Sequence, residues 1–236
     1  MILQTPAFFP NRLPNLDLDL DFTLGVTLSG SNITNIKNQS PAGSTNDFAQ
    51  ATGADQPTTS AGLISGFAAA VFGSSLRLQN SGNIPSSGST SRTIYVVCRP
   101  SSAQGGGLYA TRTTFLSSDL LLLTLGGVQY LWSNDSVNAS RSTPVSYANT
   151  NIVYEHTSVN GSPVAVSING ASITMTTPQN ATTDNGTAGT WVGNRPSSST
   201  SQYFIGGITR VLVYSRLLST IERADVTRYL RNRYSI

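Results

Sequence analysis

Residues 204–223 read FIGGITRVLVYSRLLSTIER, and this stretch predicts a core strand that leads directly into a helix. After the Gly206-Gly207 turn, the run up to Tyr214 is rich in Val, Ile, Leu and Tyr, a composition typical of strands. Ser219, followed three residues later by Glu222, forms an S-x-x-E capping box, in which each side chain can satisfy an orphan amide of a first helical turn. The stretch therefore predicts a helix that begins just after Ser219.

The predicted helix runs over residues 220–233, which contain neither Gly nor Pro. Its apolar residues recur at helical spacing and predict a buried face, whereas two of its arginines should point to water. The predicted inward residues are Val226, Tyr229, Leu230 and Tyr234, and the predicted outward ones are Arg223 and Arg231. This short helix is expected to close the domain at its edge.

The rest of the chain alternates short β-prone runs with clusters of Gly, Ser, Asn and Pro, which predicts many strands joined by turns. In residues 164–168 the apolar side chains alternate, and Asn169-Gly170 then supplies a tight hairpin turn. Cys98 is the single cysteine, so an intramolecular disulfide is impossible and packing must stabilise the fold. The predicted strands are 17–24, 68–78, 93–99, 120–125, 128–132, 151–158, 164–168 and 204–214.

The composition is neutral and rich in hydroxyl groups. Charged residues make up 11% of the chain, and the net charge is +3, with six arginines in the last 27 residues. This asymmetry forms no continuous basic stripe, so nucleic acid is not expected as a partner. No apolar run approaches the roughly 18 residues that cross a bilayer, so no membrane partner is expected either.

Residues 1–15 are predicted to form an extended N-terminal arm, and residues 16–236 a single domain. Prolines interrupt the arm repeatedly, and no basic residues precede its apolar ones as they would in a secretory signal. The arm is too apolar to be expected free in water, which suggests that it anchors the domain to a neighbouring chain. The candidate anchoring residues are Ile2, Leu3, Phe8, Phe9 and Leu13.

The C-terminal stretch resembles the closing motif of concanavalin A-like, laminin G-like jelly rolls. In that family a glycine-containing turn leads into a core strand, a Tyr-x-Arg-x-Leu-Ser step begins the capped helix, and the chain ends near Tyr-Leu-x-x-x-Tyr. Residues 46–52 (NDFAQAT) and 56–58 (QPT) are similar to the opening of bacterial and phage members. The resemblance implies an all-β, two-sheet antiparallel jelly-roll sandwich with one short C-terminal helix, of the kind found in phage virion proteins.

The sequence does not predict an enzyme. Glucanases that share this sandwich carry an E-x-D-x-x-E strand, whereas this chain has only Glu155 and Glu222, and Glu222 already has a capping role. The single histidine, His156, is expected to be a structural strand residue, and no sequence motif places Cys98 or a serine beside it. A carboxylate pair assembled only by the fold stays open as an alternative.

Asp17, Asp19 and Asp21 are weak candidates for a metal site. They mimic the start of a calcium loop, but Phe22 and Leu28 stand where the turn glycine and the bidentate glutamate belong. On a strand the three carboxylates would share one face, and their repulsion would favour either solvent or a nearby cation. The solvent-facing interpretation is preferred, calcium stays open, and no other cofactor is expected.

Carbohydrate binding commonly uses an aromatic platform flanked by polar groups. Trp132, with Tyr130 on the same strand face and Asn134 and Asp135 just after it, is the best candidate for such a platform. A core position is the competing interpretation for Trp132, and it is the one expected for Trp191.

These expectations combine into one leading hypothesis and one alternative. The leading hypothesis is a non-enzymatic virion surface protein, decorating a phage capsid or attached to a tail, that contacts other virion proteins or copies of itself as a homo-oligomer. The alternative is a carbohydrate-binding or receptor-binding module for a host polysaccharide, which could also be a cytoplasmic or extracellular lectin.

Overall fold

The computed structural model describes residues 8–73, 75–82, 84, 91–101, 106–111, 119–125, 128–135, 138–141, 147–176, 189–193 and 204–236. These residues form antiparallel strands and one α-helix, which confirms the predicted all-β sandwich with a C-terminal helix. The elements are β1 (Leu16–Asp21), β2 (Val26–Ser29), β3 (Asn32–Ile36), β4 (Phe48–Ala49), β5 (Thr58–Ile64), β6 (Phe67–Phe72), β7 (Leu78–Asn80), β8 (Ser91–Pro100), β9 (Gly106–Thr111), β10 (Asp119–Leu125), β11 (Val128–Asp135), β12 (Asn138–Arg141), β13 (Ile152–Val159), β14 (Ala165–Ile168), β15 (Ala171–Ile173), β16 (Thr190–Val192), β17 (Gly206–Tyr214) and α1 (Thr220–Tyr234).

Strand pairing arranges the chain in two layers. One layer runs β15-β14-β13-β8-β17, and β1 and β6 pair in succession along the remaining edge of β17. The other layer runs β2-β3-β4-β7-β16-β9-β10-β11-β12. Strand β5 pairs with both β6 and β3 and so links the layers.

The central strands β8 and β17 of the first layer are buried on both faces, because residues 94–98 and 211–214 are apolar at every position rather than at alternate ones. In β8, Ile94, Val96 and Cys98 face the second layer and belong to the main core. Their neighbours Tyr95 and Val97 face the opposite way and belong to a second apolar cluster. We call these two surfaces of the layer its inner and outer faces.

Helix α1 covers part of the outer face. Val226, Leu230 and Tyr234 are completely buried in the second cluster, as the helical spacing predicts. The predicted capping box is present, because Ser219 Oγ accepts from the Glu222 amide while the Glu222 carboxylate accepts from the Ser219 amide. No helix within the described ranges is long and apolar enough to cross a bilayer.

A β-bulge at Thr209 changes which residues of β17 face the helix. The register with β8 shifts between Ile208 and Arg210, so Val211 rather than Arg210 shares the inner face with Ile208. One extra residue in a strand reverses the facing of all that follow it. The bulge therefore directs Arg210 to the outer face, towards α1.

The described part of the predicted N-terminal arm packs on the domain. Phe8 and Leu13 contact the second apolar cluster, and Tyr214 donates a hydrogen bond of 3.1 Å to the backbone oxygen of Pro10. Phe9 is 42% exposed beside Tyr229, while Ile2 and Leu3 lie outside the described residues. Residues 8–15 are therefore part of the domain surface, and the expectation of an arm extending away from it does not hold for them.

Candidate functional site

The predicted sugar-binding residues lie on β11, in the second layer. Tyr130, Trp132 and Asn134 occupy alternate positions of this strand, and Trp132 pairs with Leu121 on one side and Arg141 on the other. Asn134 and Asp135 belong to the strand itself rather than following it. The side chains of β11 lie outside the described part of the structure, so the aromatic platform stays a prediction.

The three N-terminal aspartates do not share a solvent-facing surface. Asp19 and Asp21 are each only 2% exposed and point to the outer face of the first layer. A bulge between Leu16 and Leu18 separates Asp17, whose carboxylate accepts a hydrogen bond from Ser215. Burial raises the pKa of Asp17, and the Ser215 hydrogen bond opposes this effect.

Arginines compensate the negative charges of the buried carboxylates of Asp19 and Asp21. Arg210 binds Asp19 through two hydrogen bonds of 2.8 and 2.9 Å, and Arg233 of α1 binds Asp21 at 3.0 Å. Within the described ranges there is no group of three His, Cys, Asp or Glu side chains that could hold a metal. The solvent-facing interpretation is wrong, because these carboxylates join β1, β17 and the helix.

The residues considered for catalysis lie far apart or are already engaged. His156 lies on the inner face of β13, where burial and then the charge of Arg92 lower its pKa to about 3. Cys98 pairs with Ile152, four residues along β13 and thus about 13 Å from His156. Burial raises the pKa of the Cys98 thiol, so it stays protonated at neutral pH. This arrangement provides no activated nucleophile.

A cleft of about 630 Å³ separates α1 from the β14–β15 hairpin. Its floor is formed by Glu155 and Ser167, which pair with each other across β13 and β14. One wall is the polar side of the helix, whose residues recur every three or four positions, and the other is the hairpin. The helix contributes Thr220, Arg223, Ala224, Thr227, Arg228, Arg231 and Asn232, the hairpin contributes Asn169, Gly170 and Ser172, and Ile236 after the helix completes the lining.

The shape of the hairpin depends on the Asn169-Gly170 turn that the sequence predicts. Both residues have positive φ, 53° and 85°, which matches the tight turns that follow the twist of a hairpin. A Cβ at Gly170 would lie 3.4 Å from Thr227 Cγ2 of the helix. That distance is an ordinary van der Waals contact, so it is the positive φ of the turn, rather than the nearby helix, that favours glycine here.

Glu155 is fully engaged at the floor of the cleft. It is 6% exposed and accepts hydrogen bonds from Arg223 at 3.1 Å, Ser167 at 3.1 Å and Thr227 at 3.4 Å. An arginine and two hydroxyl groups therefore already occupy this carboxylate. Arg223 was expected to point to water, and this pairing corrects that expectation, whereas Arg231 is exposed as predicted.

The sequence analysis missed this cleft as a site. The signal that could have indicated one wall is the periodic polar stripe at positions 220, 223, 227 and 231 of the helix. No sequence signal indicates that this stripe faces Glu155, because that pairing joins residues 68 positions apart.

Known structures share this architecture at low sequence identity. Domain 4 of AbnA, a GH43 extracellular arabinanase from Geobacillus stearothermophilus, in complex with arabinotriose, has a TM-score of 0.60 and 14% identity, covering 90% of this chain and 98% of that one. An arabinofuranosidase complexed with arabinofuranosyl-alpha-1,2-xylobiose has a TM-score of 0.62 and 12% identity, over 86% of this chain and 51% of that one. The Trypanosoma rangeli sialidase in complex with the inhibitor DANA has a TM-score of 0.54 and 10% identity, over 89% and 32%.

These similarities, with the two antiparallel layers and the capped helix, define a two-layer antiparallel β-sandwich of the jelly-roll kind. At such identities they establish the fold alone. No protein-family model and no curated protein sequence matches the chain.

Proposed function

We propose that this chain is a non-enzymatic, lectin-like binding protein that holds a glycan in the cleft between α1 and the β14–β15 hairpin. The observation that supports this most strongly is an open cleft lined by amide, hydroxyl and guanidinium groups, in which the single acidic side chain, Glu155, is already paired. Glycosidases of the usual kind need two carboxyl groups on either side of the scissile bond. The cleft offers hydrogen-bonding groups for saccharide hydroxyls without that pair.

The fold supports the same proposal. Domain 4 of the arabinanase was solved in complex with arabinotriose, so a sandwich of this architecture can hold an oligosaccharide. In this chain the charged fraction of 11% and the abundance of Ser, Thr and Asn make the surface neutral and rich in hydrogen-bonding groups. Such a surface suits recognition of a hydroxylated polymer by many weak contacts.

A glycan array followed by calorimetry tests the binding proposal. We expect binding without any shortening of the ligand, which mass spectrometry of the recovered glycan would verify. Ser172→Trp should fill the cleft at an exposed position and abolish binding, whereas Trp132→Ala should retain it. If Trp132→Ala alone abolished binding, the site would lie on β11, and a hydrolysed ligand would contradict the non-enzymatic role.

We further propose that the protein acts on the surface of a virion, as a capsid decoration or tail-attached component, where a lectin-like domain would serve host attachment. Support comes from the neutral hydroxyl-rich composition without cysteine pairs and from the apolar N-terminal residues Ile2 and Leu3. These residues would contact another virion protein or a second copy of the chain. Phe8 and Leu13 are already engaged within the chain and are not part of this proposed contact.

Mass spectrometry of purified particles tests the virion proposal. The intact chain should be found in particles, and a variant without residues 1–7 should be missing from them, with a melting curve to verify that it is folded. Incorporation of the shortened chain at the normal level would contradict anchoring by Ile2 and Leu3. Absence of the intact chain from all particles would contradict the virion role itself.

A further inference from the structure

We propose that the cleft selects acidic saccharides, and that Arg231 and Arg228 bind the carboxylate or sulfate groups of an extended anionic polysaccharide. This inference rests on the proposed glycan-binding function and names the chemical class of its ligand. Three guanidinium groups line the cleft against two carboxylates, those of Glu155 and of the last residue Ile236, so its net charge is positive before any ligand enters. The three arginines differ, however, in how far their charge is already compensated.

Arg223 already binds another residue of the protein, Glu155. Its Nη1 donates to Glu155 at 3.1 Å, and the carboxylate that receives this bond is almost completely buried. Removing the arginine from such a carboxylate would leave a buried charge without its partner, which is costly. Arg223 therefore fixes the floor of the cleft and is not available to a ligand.

Arg231 is bound through main-chain oxygens only, and no Asp or Glu side chain among the described residues pairs with it. Its Nε donates at 3.1 Å to the oxygen of Ile236, which belongs to the carboxylate of the chain's last residue, and its Nη1 donates at 3.3 Å to the carbonyl oxygen of Asn169. These two bonds hold the planar guanidinium between the end of the helix and the hairpin turn. Its Nη2 has no hydrogen bond to a described residue, so it can donate to an anion in the cleft.

Arg228 lies one turn earlier on the same wall and is only weakly engaged. It pairs with Asp225 of its own helix, and its side chain is 67% exposed. Exposed pairs of this kind contribute little because water and salt screen them. A ligand carboxylate can therefore compete with Asp225, and two anionic groups along one polymer could contact Arg228 and Arg231 together.

The dimensions and lining of the cleft favour an extended saccharide. The polar stripe from Thr220 to Asn232 spans twelve helical steps, or about 18 Å, which is longer than a single sugar or a free phosphate. Asn169, Ser172 and Asn232 provide amide and hydroxyl groups for sugar hydroxyls. No aromatic side chain is among the residues that line the cleft, so it offers neither a stacking platform for neutral sugars nor one for nucleic acid bases.

The test uses an array of acidic and neutral oligosaccharides, then titrates the strongest acidic ligand against its carboxyl-methylated ester or its desulfated form. We expect the neutralised form to bind at least about tenfold more weakly, since a charge-assisted hydrogen bond to arginine is lost. The affinity for the acidic form should fall with added salt. Carboxylated and sulfated members of the array distinguish the two sources of negative charge.

Matched variants locate the site. Arg231→Gln and Arg228→Gln should each weaken binding of the acidic ligand by about tenfold, whereas Arg12→Gln, which removes an exposed charge that lines no part of the cleft, should not. Arg228→Gln loses only the pair with Asp225, so it keeps the test valid if Arg231→Gln destabilises the fold. Unchanged binding in a folded Arg228→Gln and Arg231→Gln double variant would overturn the assigned site.

The outcomes also separate this inference from the proposed function. Binding confined to neutral glycans would overturn the acidic selectivity and leave glycan binding intact. Binding to no glycan on the array would overturn both.

Discussion

At the scale of single residues, burial decides which titratable groups respond to pH. His156 is the only histidine in the chain, so its protonation can be assigned without ambiguity. Its pKa in the folded protein is lowered to about 3, first by burial and then by the charge of Arg92, from an ordinary value of 6.5. The unfolded chain therefore binds a proton more readily than the folded one, and acid should favour unfolding.

We predict that the contribution of His156 to the free energy of unfolding is fully present above its ordinary pKa of 6.5 and falls as the pH drops from 6.5 towards 3, by up to about 1.4 kcal/mol per pH unit. Urea denaturation at pH 7, 6 and 5 measures this slope at pH values above those at which most carboxylates become protonated. His156→Gln should flatten the slope between pH 6.5 and 5, whatever its effect on stability at pH 7. An identical slope in the variant would show that His156 is not responsible.

At the scale of elements, the helix depends on a cap that holds its first turn. Glu222 Oε2 accepts from the Ser219 amide at 2.8 Å, and Ser219 Oγ accepts from the Glu222 amide at 3.3 Å. Arg216 binds the same Glu222 carboxylate in two hydrogen bonds and, as the largest cause, lowers its pKa to about 2. The cap thus connects the end of β17 to the helix as well as completing the helix itself.

We predict that Ser219→Ala lowers the free energy of unfolding by about 1 kcal/mol. The Glu222 amide loses its hydrogen-bond acceptor, Ser219 Oγ, and the capping box is no longer complete. Thr220→Ala, one residue further along, is the control and should change the free energy of unfolding by less than about 0.5 kcal/mol. Urea denaturation followed by circular dichroism measures both. A larger effect of Thr220→Ala than of Ser219→Ala would contradict the assigned cap.

Local elements could be predicted from the sequence because their signals are local. The capping box at Ser219 and the Asn169-Gly170 hairpin are each specified within a few residues, and both are present in the structure. The bulge at Thr209 carried no such signal, since simple alternation assigns Arg210 to the same face as Ile208. The sequence alternation therefore does not predict that Arg210 lies on the outer face, nor that it pairs there with Asp19.

At the scale of the whole molecule, the sequence predicts the class of fold but not the contacts that build the cleft or bury the charges. Arg210 and Asp19 pair across 191 positions, and Arg223 and Glu155 across 68. Such contacts depend on how strands are ordered in the layers, which a single sequence does not specify. The same limit applies to residues 8–13, whose contacts with Tyr214 and Tyr229 join positions about 200 residues apart.

The N-terminal segment completes the apolar cluster on the outer face of the first layer, so its removal should affect the whole domain. Phe8 contacts Tyr229 of the helix with ring centroids 6.2 Å apart, and Leu13 packs on the same cluster. We predict that Phe8→Ala with Leu13→Ala lowers the free energy of unfolding by about 3 kcal/mol, from lost apolar burial. For a domain of this size that corresponds to a melting temperature roughly 6–12 °C lower.

The matched control removes two exposed leucines elsewhere. Leu24 and Leu28 are 53% and 47% exposed, so Leu24→Ala with Leu28→Ala deletes comparable apolar groups from positions that remain half in water. Their loss should change the free energy of unfolding by less than about 1 kcal/mol. Differential scanning calorimetry compares the two double variants directly. Equal melting temperatures for both would mean that residues 8–13 contribute no more to the fold than an exposed loop does, and that they are available to contact a partner after all.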